Sequence, residues 1–454
     1  MNAAASTLAP RHKIGLLTLV VFGVGLMAPI IVLGTFGILS QTSAGHVDLA
    51  YVVALAAMLP TALSYALMAR AFPVAGSSYS YVRKSIDSSL GFLTGWAILL
   101  DYLFMPMAIW LIGTAYLHSI VPAVPEPVWL LLFIGVTTVI NVVGLKLAAG
   151  FNMVLVVLQT LVLFAFVALC AHYALGDATR PLFDAAAHGP PNPALVMGGA
   201  AIACYSYLGF DAVSTLTEET RDPVRNVPRA ILLVTLTGGL LFVGTSYFVQ
   251  LAHPSFQFAD ADAASTEIAR NIGGDLFVLV FLVGLVIGQF ASGIAAQTSV
   301  SRLLYALGRD AVLSRRFFGY LSPRYGTPVY AIGLSAAIAL VGLKLDVTTS
   351  TSFINFGAFL TFILVNLSVI FHYWRRQGRR GARAVLLYLL IPAFGMAADF
   401  ALMVSLDHKA LILGLTWLAL GVAYLARLTG GFRRAPPELH VDDTPPIGAP
   451  GPLA

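Results

Sequence analysis

The sequence predicts an all-α polytopic membrane protein, and three observations support this fold class. Hydrophobic residues make up 58% of the 454 residues and charged residues only 10%, a composition far from that of soluble domains. Apolar runs of about 20 residues, long enough to cross a bilayer as helices, recur along the whole chain. The basic residues also concentrate in alternate connections, as expected for a multi-pass protein.

Each apolar run is predicted to form one transmembrane helix, which makes twelve helices in total. The runs span 14–40, 49–70, 90–121, 126–145, 150–176, 194–220, 229–252, 275–301, 328–343, 350–374, 384–406 and 409–427. The connections between them are too short to hold a soluble domain with its own core. The first run lacks a small-residue cleavage site and is expected to remain as an uncleaved helix.

The basic residues predict how the chain is oriented in the cell (inner) membrane. With a cytoplasmic N-terminus, all but four of the 26 basic residues fall on the cytoplasmic side, so both termini are predicted there. The four exceptions are Arg180, Arg270, Lys344 and Lys409. The net charge of +5 therefore reflects topology and does not indicate a nucleic-acid partner. The tails 1–13 and 433–454 are expected in the cytoplasm, the second of them disordered.

Two of the predicted helices contain residues that interrupt a helix. The first contains Gly23, Gly25 and Pro29, and the sixth contains Gly209. These interruptions lie five helices apart, so they occupy corresponding positions in two halves of five helices each. Because five is an odd number, the two halves cross the membrane in opposite orientations. The pattern predicts an inverted repeat whose binding site lies where the broken helices meet. Within a transmembrane domain of 14–432, the predicted first repeat spans 14–176, the second 194–374, and 384–427 adds two helices.

An aspartate follows the second interruption closely. Asp211 lies inside the run 194–220, where a carboxylate costs roughly 2.5–3.5 kcal/mol on insertion scales. Asp101, in the third run, is the other candidate acid within the membrane. Ionisable residues at this depth typically mark a substrate or ion pathway, and for Asp101 the alternative is a structural acid bonded to backbone or water.

The remaining polar residues carry weaker signals. No HExxH pair and no GxSxG turn is present, so neither an intramembrane enzyme nor a metal or other cofactor is expected. A sensor that binds a solute without moving it stays open as an alternative. Small residues at four-residue spacing in the eighth run predict close helix packing: Gly284, Gly288, Ser292 and Ala296. Four acids near helix ends or loops are expected to contact water: Asp48, Asp346, Asp399 and Asp407.

Four separated strings resemble the amino acid–polyamine–organocation transporter superfamily, and the resemblance spans nearly the whole chain. They are FPVAGSSYSYVRKSIDSSLGFLTGW (Phe72–Trp96), EETRDPVRNVPRAI (Glu218–Ile231), SRLLYALGRDAVL (Ser301–Leu313) and FINFGAFLTFILVNLSV (Phe353–Val369). The fourth of these, with LLDYLFMPM (Leu99–Met107) and CYSYLGFDAVSTLTEET (Cys204–Thr220), looks most like bacterial importers of putrescine. The resemblance implies a LeuT-like core of five plus five helices with two extra C-terminal helices. It also implies alternating access, usually driven by protons.

The resemblance further implies where a substrate binds. Tyr205 falls where members of the superfamily place an aromatic gate, and Asp211 where they carry an acid after the broken helix. Amino acid permeases of this superfamily hold the substrate carboxylate on backbone amides of the first helix, but the stretch 23–29 is bulkier here. A substrate with only positive ends needs no such cradle. Import of putrescine or a related diamine is therefore predicted, and a proton-coupled amino acid permease is the alternative.

A diamine presents one ammonium group to each of two carboxylates. An ammonium about 4 Å from a carboxylate gains on the order of 4 kcal/mol at an effective dielectric near 20. Aromatic faces add roughly 0.5–2 kcal/mol each. Tyr207 and Phe210 are expected to pack rather than to touch the substrate. The predicted substrate-binding residues are Gly25, Met27, Asp101, Tyr102, Tyr205, Gly209 and Asp211.

Proton coupling is predicted to involve the same acids. Burial favours the protonated form of a carboxyl group, so Asp211 or Asp101 is the expected proton carrier. Some relatives place a coupling lysine in the middle of the fifth helix, where this chain has an apolar run with Gln159 as its only large polar residue, so lysine-based coupling is not expected. Glu218 and Glu219 are predicted to form a gate or a structural ion pair at the cytoplasmic mouth. A sodium site built from backbone carbonyls stays open.

Overall fold

The computed structural model describes residues 14–74, 77–144, 149–176, 189–309 and 313–436. The predictions for the tail 1–13, for Lys146 and Arg180, and for most of the tail 433–454 concern residues outside these ranges. Within the described residues, eleven helical segments are long and apolar enough to cross a membrane. A further apolar helical segment, Val329–Lys344, is shorter. An all-helical membrane protein is therefore confirmed.

Seventeen α-helices are numbered here in chain order within the described residues. They are α1 (Leu16–Leu26), α2 (Ile31–Gly34), α3 (Phe36–Thr42), α4 (Val47–Ala71), α5 (Ser77–Ser85), α6 (Ser88–Ile120), α7 (Glu126–Val143), α8 (Ala149–Leu175), α9 (Pro193–Ala203), α10 (Pro223–Ala252), α11 (Ala264–Arg309), α12 (Arg315–Phe318), α13 (Val329–Ala339), α14 (Val347–Val369), α15 (Ala382–Val385), α16 (Ile391–Val404) and α17 (His408–Leu428). Short 3₁₀ segments cover Cys204–Tyr207, Asp211–Glu219, Ala261–Ala263 and Leu340–Lys344. One π-helical segment, Ile370–Arg376, extends α14, and a second, Leu386–Leu390, precedes α16.

Both predicted helix interruptions are confirmed. The first membrane segment stops at Leu26 and resumes at Ile31, and Ala28 between them adopts a left-handed φ of 45°. The sixth membrane segment begins as α9, continues in 3₁₀ geometry and is interrupted at Gly209, whose φ is 121°. Such a φ is readily available only to glycine, so the residue type at this position permits the interruption.

The predicted small-residue stripe also packs as expected. A Cβ atom at Gly284 would lie 2.9 Å from Val162, and one at Gly288 would lie 3.0 Å from Gln159 Oε1. Both contacts bring α11 against α8. Close helix approach at small residues is the usual way that membrane helices gain packing energy.

α11 is longer than the predicted span 275–301 and bends sharply at Gly274, where φ is 68°. The part before this bend lies beside the broken first segment, because Ser265 Oγ donates a 2.7 Å hydrogen bond to the Leu33 carbonyl. Tyr116 on α6 donates to the same carbonyl, also at 2.7 Å. The carbonyl at the end of α2 is thereby satisfied by side chains from two other helices.

The opposite ends of the broken segments are joined through backbone hydrogen bonds. Ile14 donates its N–H to the Glu219 carbonyl at 2.9 Å, and its own carbonyl accepts from the Arg221 N–H at 2.9 Å. The start of α1 is thus bonded to the end of the 3₁₀ segment Asp211–Glu219. This pairing connects the two broken segments at the end of the molecule where Glu218 and Glu219 lie.

Candidate functional site

The two helix interruptions meet in the centre of the protein. A Cβ atom at Gly209 would lie 3.0 Å from Leu26 Cβ and 3.2 Å from both the Leu26 carbonyl carbon and the Met27 nitrogen. The absence of a side chain at Gly209 therefore allows the second interruption to touch the backbone of the first. This contact places Asp211, two residues later, beside the unwound part of the first segment.

Asp211 begins the 3₁₀ segment that follows the interruption. Its half-buried carboxyl group accepts a hydrogen bond from the Gly209 N–H at 3.3 Å. Its carbonyl accepts from Ser214 Oγ at 2.5 Å, and that hydroxyl lies 2.6 Å from Ser77 Oγ on α5. The acid is thus held at the start of a helical turn, where backbone N–H groups favour negative charge.

Asp101 on α6 lies within electrostatic range of Asp211. Its Oδ1 atom is buried and has no hydrogen-bond partner within the described residues. Tyr102 lies within electrostatic range of both acids, and Tyr205 within range of Asp101. Each of these four residues thus lies within electrostatic range of at least one other: Asp101, Tyr102, Tyr205 and Asp211. An unpartnered buried acceptor costs free energy, and a bound cation with N–H donors would supply its missing partner.

Aromatic side chains pack behind Asp211. The ring centroid of Phe210 lies 5.4 Å from that of Tyr65 on α4 and 5.4 Å from that of Phe362 on α14. Tyr65 and Tyr81 both interact electrostatically with Asp211. Phe210 is fully buried in these contacts, which agrees with its predicted packing role.

α4 also holds the 3₁₀ turn that precedes the interruption. Tyr51 Oη lies 3.0 Å from Ser206 Oγ, and Tyr207 Oη donates to the Tyr51 carbonyl at 3.3 Å. The centroid of the Tyr207 ring lies 5.3 Å from that of Phe242 on α10, so Tyr207 is also a packing residue, as predicted. These bonds fix the turn that carries Tyr205.

Asn355 on α14 supports the same turn by capping the end of α9. Its side-chain amide donates to the Ala201 carbonyl at 2.8 Å and to the Ile202 carbonyl at 3.4 Å, and it is fully buried. The last carbonyls of a helix have no partner within that helix, so they depend on such side chains.

Replacing Asn355 with alanine is expected to destabilise the protein by about 1–3 kcal/mol, because the Ala201 carbonyl would lose its buried side-chain donor. A lower melting temperature of the detergent-solubilised protein would report this loss. Asn271→Ala, at an exposed position on α11, is the matched control and should leave the melting temperature unchanged. Equal melting temperatures for both variants would show that Asn355 does not support the turn.

The predicted first-helix residues lie beside this site in different ways. Met27 is buried against Gly238 on α10, and its backbone nitrogen faces Gly209. A Cβ atom at Gly25 would lie 3.4 Å from Val156 on α8. Gln159, one helical turn further along α8, is also buried, and its Oε1 has no partner among the described residues.

The predicted gating acids lie away from the central site. The side chains of Glu218 and Glu219 are exposed, and within the described part of the chain neither forms a salt bridge. The connection at this end is instead made by the backbone of Glu219 and Ile14.

The expectation that Asp399 contacts water is wrong. Asp399 is fully buried in the middle of α16, where it bonds side chains of two other helices. The error arose because α16 faces the protein interior at this position, and a helix that is apolar on all sides does not reveal which face is buried. Asp346 and Asp407 do lie at helix starts, where they cap α14 and α17.

Known proteins resemble this chain along most of its length. Residues 18–418 match the profile of a family described as amino acid permease. The low-affinity putrescine importer PlaP of Escherichia coli strain K12 is 40% identical over 437 residues, which cover 94% of this chain and 96% of that protein. The branched-chain amino acid permease BcaP of Bacillus subtilis strain 168 is 24% identical over 436 residues, or 91% and 92% of the two chains. The methylthioribose transporter of the same Bacillus strain is 23% identical over 445 residues, or 93% and 94%.

Proposed function

The chain belongs to the amino acid permease family, and from this premise we propose that it imports putrescine or a related diamine across the inner membrane. The proposed mechanism is alternating access driven by protons, on a core of two inverted five-helix repeats with two additional helices. In this proposal twelve helices cross the membrane, Val329–Lys344 being one of them, and both termini are cytoplasmic.

The observation that carries the proposal is the carboxyl pair of Asp101 and Asp211 beside the meeting point of the two interruptions. Two carboxylates in a shared site repel each other when both are ionised. A ligand with two ammonium groups relieves this repulsion and supplies donors to the unpartnered oxygen of Asp101. A monocation can neutralise only one of the acids, so the pair favours a dication.

The same repulsion supports proton coupling. When the site is empty, a proton shared by the two acids removes one of the negative charges. The charge of that proton changes the affinity of the site for an ammonium group, and bound substrate changes its affinity for the proton. The occupancy of the site by substrate and by protons is therefore linked, as a proton-driven cycle requires.

Uptake into proteoliposomes tests the substrate class. With an inward proton gradient, radiolabelled putrescine is expected to accumulate, and unlabelled putrescine should compete with it. Butylamine, with the same four-carbon chain and a single ammonium group, is the matched control and should compete at least about tenfold more weakly, because it pairs with only one acid. Competition by a neutral branched-chain amino acid at low concentration, with none by diamines, would instead identify an amino acid permease.

A further inference from the structure

Asp399 on α16 is a buried acid that the proposed transport site does not use. Its Oδ2 atom accepts hydrogen bonds from Thr61 Oγ1 on α4 at 2.8 Å and from Asn366 Nδ2 on α14 at 3.0 Å. Asn366 Nδ2 also donates to Thr61 Oγ1 at 2.9 Å. All three side chains are fully buried, and the bonded partners of the acid are neutral. Three helices therefore meet at a carboxyl group that no bonded cation balances.

Two oxygen atoms of this buried cluster have no hydrogen-bond partner among the described residues. They are Asp399 Oδ1 and Asn366 Oδ1, and both are buried. An unpaired acceptor is costly inside a protein, and an unbalanced carboxylate is more costly. A proton on Asp399 removes the charge and turns one of its oxygens from an acceptor into a donor.

The backbone of α16 is shaped to hold this cluster. A Cβ atom at Gly395 would lie 2.9 Å from Asn366 Oδ1 and 3.0 Å from its Nδ2. Gly395 precedes Asp399 by four residues, so both lie on the same face of the helix. The amide of Asn366 thus occupies a space that only glycine leaves free.

α4 connects the buried cluster to the transport site. Tyr65 follows Thr61 by four residues and therefore lies one helical turn further along the same face. The Tyr65 ring packs against Phe210, the residue before Asp211. Tyr65 lies within electrostatic range of both Asp211 and Asp399.

α14 makes a parallel connection. Phe362 precedes Asn366 by four residues, and its ring also packs against Phe210. Among the described residues of the helices packed on α16, the titratable groups within electrostatic range of Asp399 are Tyr65 on α4 and the Cys204 thiol after α9. Each of the two helices thus bonds Asp399 with one side chain and packs another, about one helical turn away, against Phe210 beside Asp211.

We propose that Asp399, Thr61 and Asn366 form a second proton-binding site, and that α4 and α14 couple its occupancy to substrate binding at Asp211. The ligand is a proton rather than a metal ion, because the two unpartnered oxygens are too few to replace the hydration shell of a metal. This site goes beyond the proposed function, in which only Asp101 and Asp211 bind protons. Coupling requires that the ligand at one site changes the affinity at the other.

Infrared pH-difference spectroscopy of the purified protein in lipid tests proton binding without any substrate. The wild type is expected to show a titrating band of a protonated carboxyl group that is absent from Asp399→Asn. Asp275→Asn, which changes an exposed acid in the same way, should retain that band. Identical difference spectra for the wild type and Asp399→Asn would overturn the proposal.

Thr61→Val provides a second test that retains the acid. It removes one donor to the charged form of Asp399, so the midpoint of the infrared band is expected to move to higher pH. A merely structural role of Thr61 would leave the midpoint in place, and an unmoved midpoint would contradict the assignment. This variant decides the question even where Asp399→Asn does not fold.

Transport measurements test the coupling separately. Asp399→Asn is expected to keep putrescine counterflow without a gradient and to lose the stimulation of uptake by an inward proton gradient. Full stimulation in this variant would exclude coupling through Asp399. Absence of putrescine transport in the wild type would instead refute the proposed substrate, while the infrared result would still decide whether Asp399 binds a proton.

Discussion

Replacing Asp211 with asparagine is expected to weaken putrescine binding by about two to three orders of magnitude and to abolish measurable uptake. The attraction between an ammonium and a carboxylate about 4 Å apart is on the order of 4 kcal/mol at an effective dielectric near 20. Asparagine keeps the shape of the side chain and an acceptor for the Gly209 N–H. The loss would therefore report the charge and not the geometry of the interruption.

Binding to the detergent-solubilised protein and uptake into proteoliposomes measure this effect. Asp275→Asn removes a carboxylate that pairs with Arg270 on the surface, and it should behave like the wild type in both assays. Wild-type affinity in Asp211→Asn would rule out Asp211 as an ammonium-binding group. Lost uptake with intact affinity would limit its role to the proton cycle.

Replacing Gly209 with alanine is expected to cost roughly 2–5 kcal/mol of stability and to eliminate uptake. Two effects add. A φ of 121° is strained for a residue with a Cβ atom, and that atom would lie 3.0 Å from Leu26 Cβ and 3.2 Å from backbone atoms of the first segment. Backbone atoms of a broken helix cannot rotate away as a flexible side chain does. The two interruptions would be forced apart.

The melting temperature of the purified variant and its uptake activity measure this prediction. Gly244→Ala is the matched control, because a Cβ atom at this position in α10 meets nothing within 4 Å. Alanine is the better helix former, so this control should be as stable as the wild type or slightly more so. A Gly209→Ala variant that melts and transports like the wild type would show that close contact between the interruptions is unnecessary.

The sequence predicted the central site in part. Asp101 and Asp211 stood out because a carboxylate in an apolar run is rare and costly, and Gly209 because glycine interrupts helices. Tyr65, Tyr81 and Asn355 were not singled out. Polar and aromatic residues in apolar helices are common packing residues, and only their contacts in the fold distinguish them.

The prediction for Asp399 shows why sequence position was insufficient. Hydropathy placed it near the end of an apolar run, and acids near such ends usually contact water. In the structure the acid points between α4 and α14, where Thr61 and Asn366 provide hydrogen bonds. Its partners lie 338 and 33 residues away in the chain, so no local pattern could identify them.

The amino-acid sequence by itself determined the membrane class, the approximate spans, the two interruptions and the acids inside the spans. Each of these follows from a local property, because lipid requires long apolar helices and admits a charge or a helix break only at a cost. The tertiary structure alone decided that Gly209 touches Leu26 and Met27, and that Asp101 lies within range of Asp211. Contacts between distant segments depend on how whole helices pack, and helix packing is a property of the assembled fold.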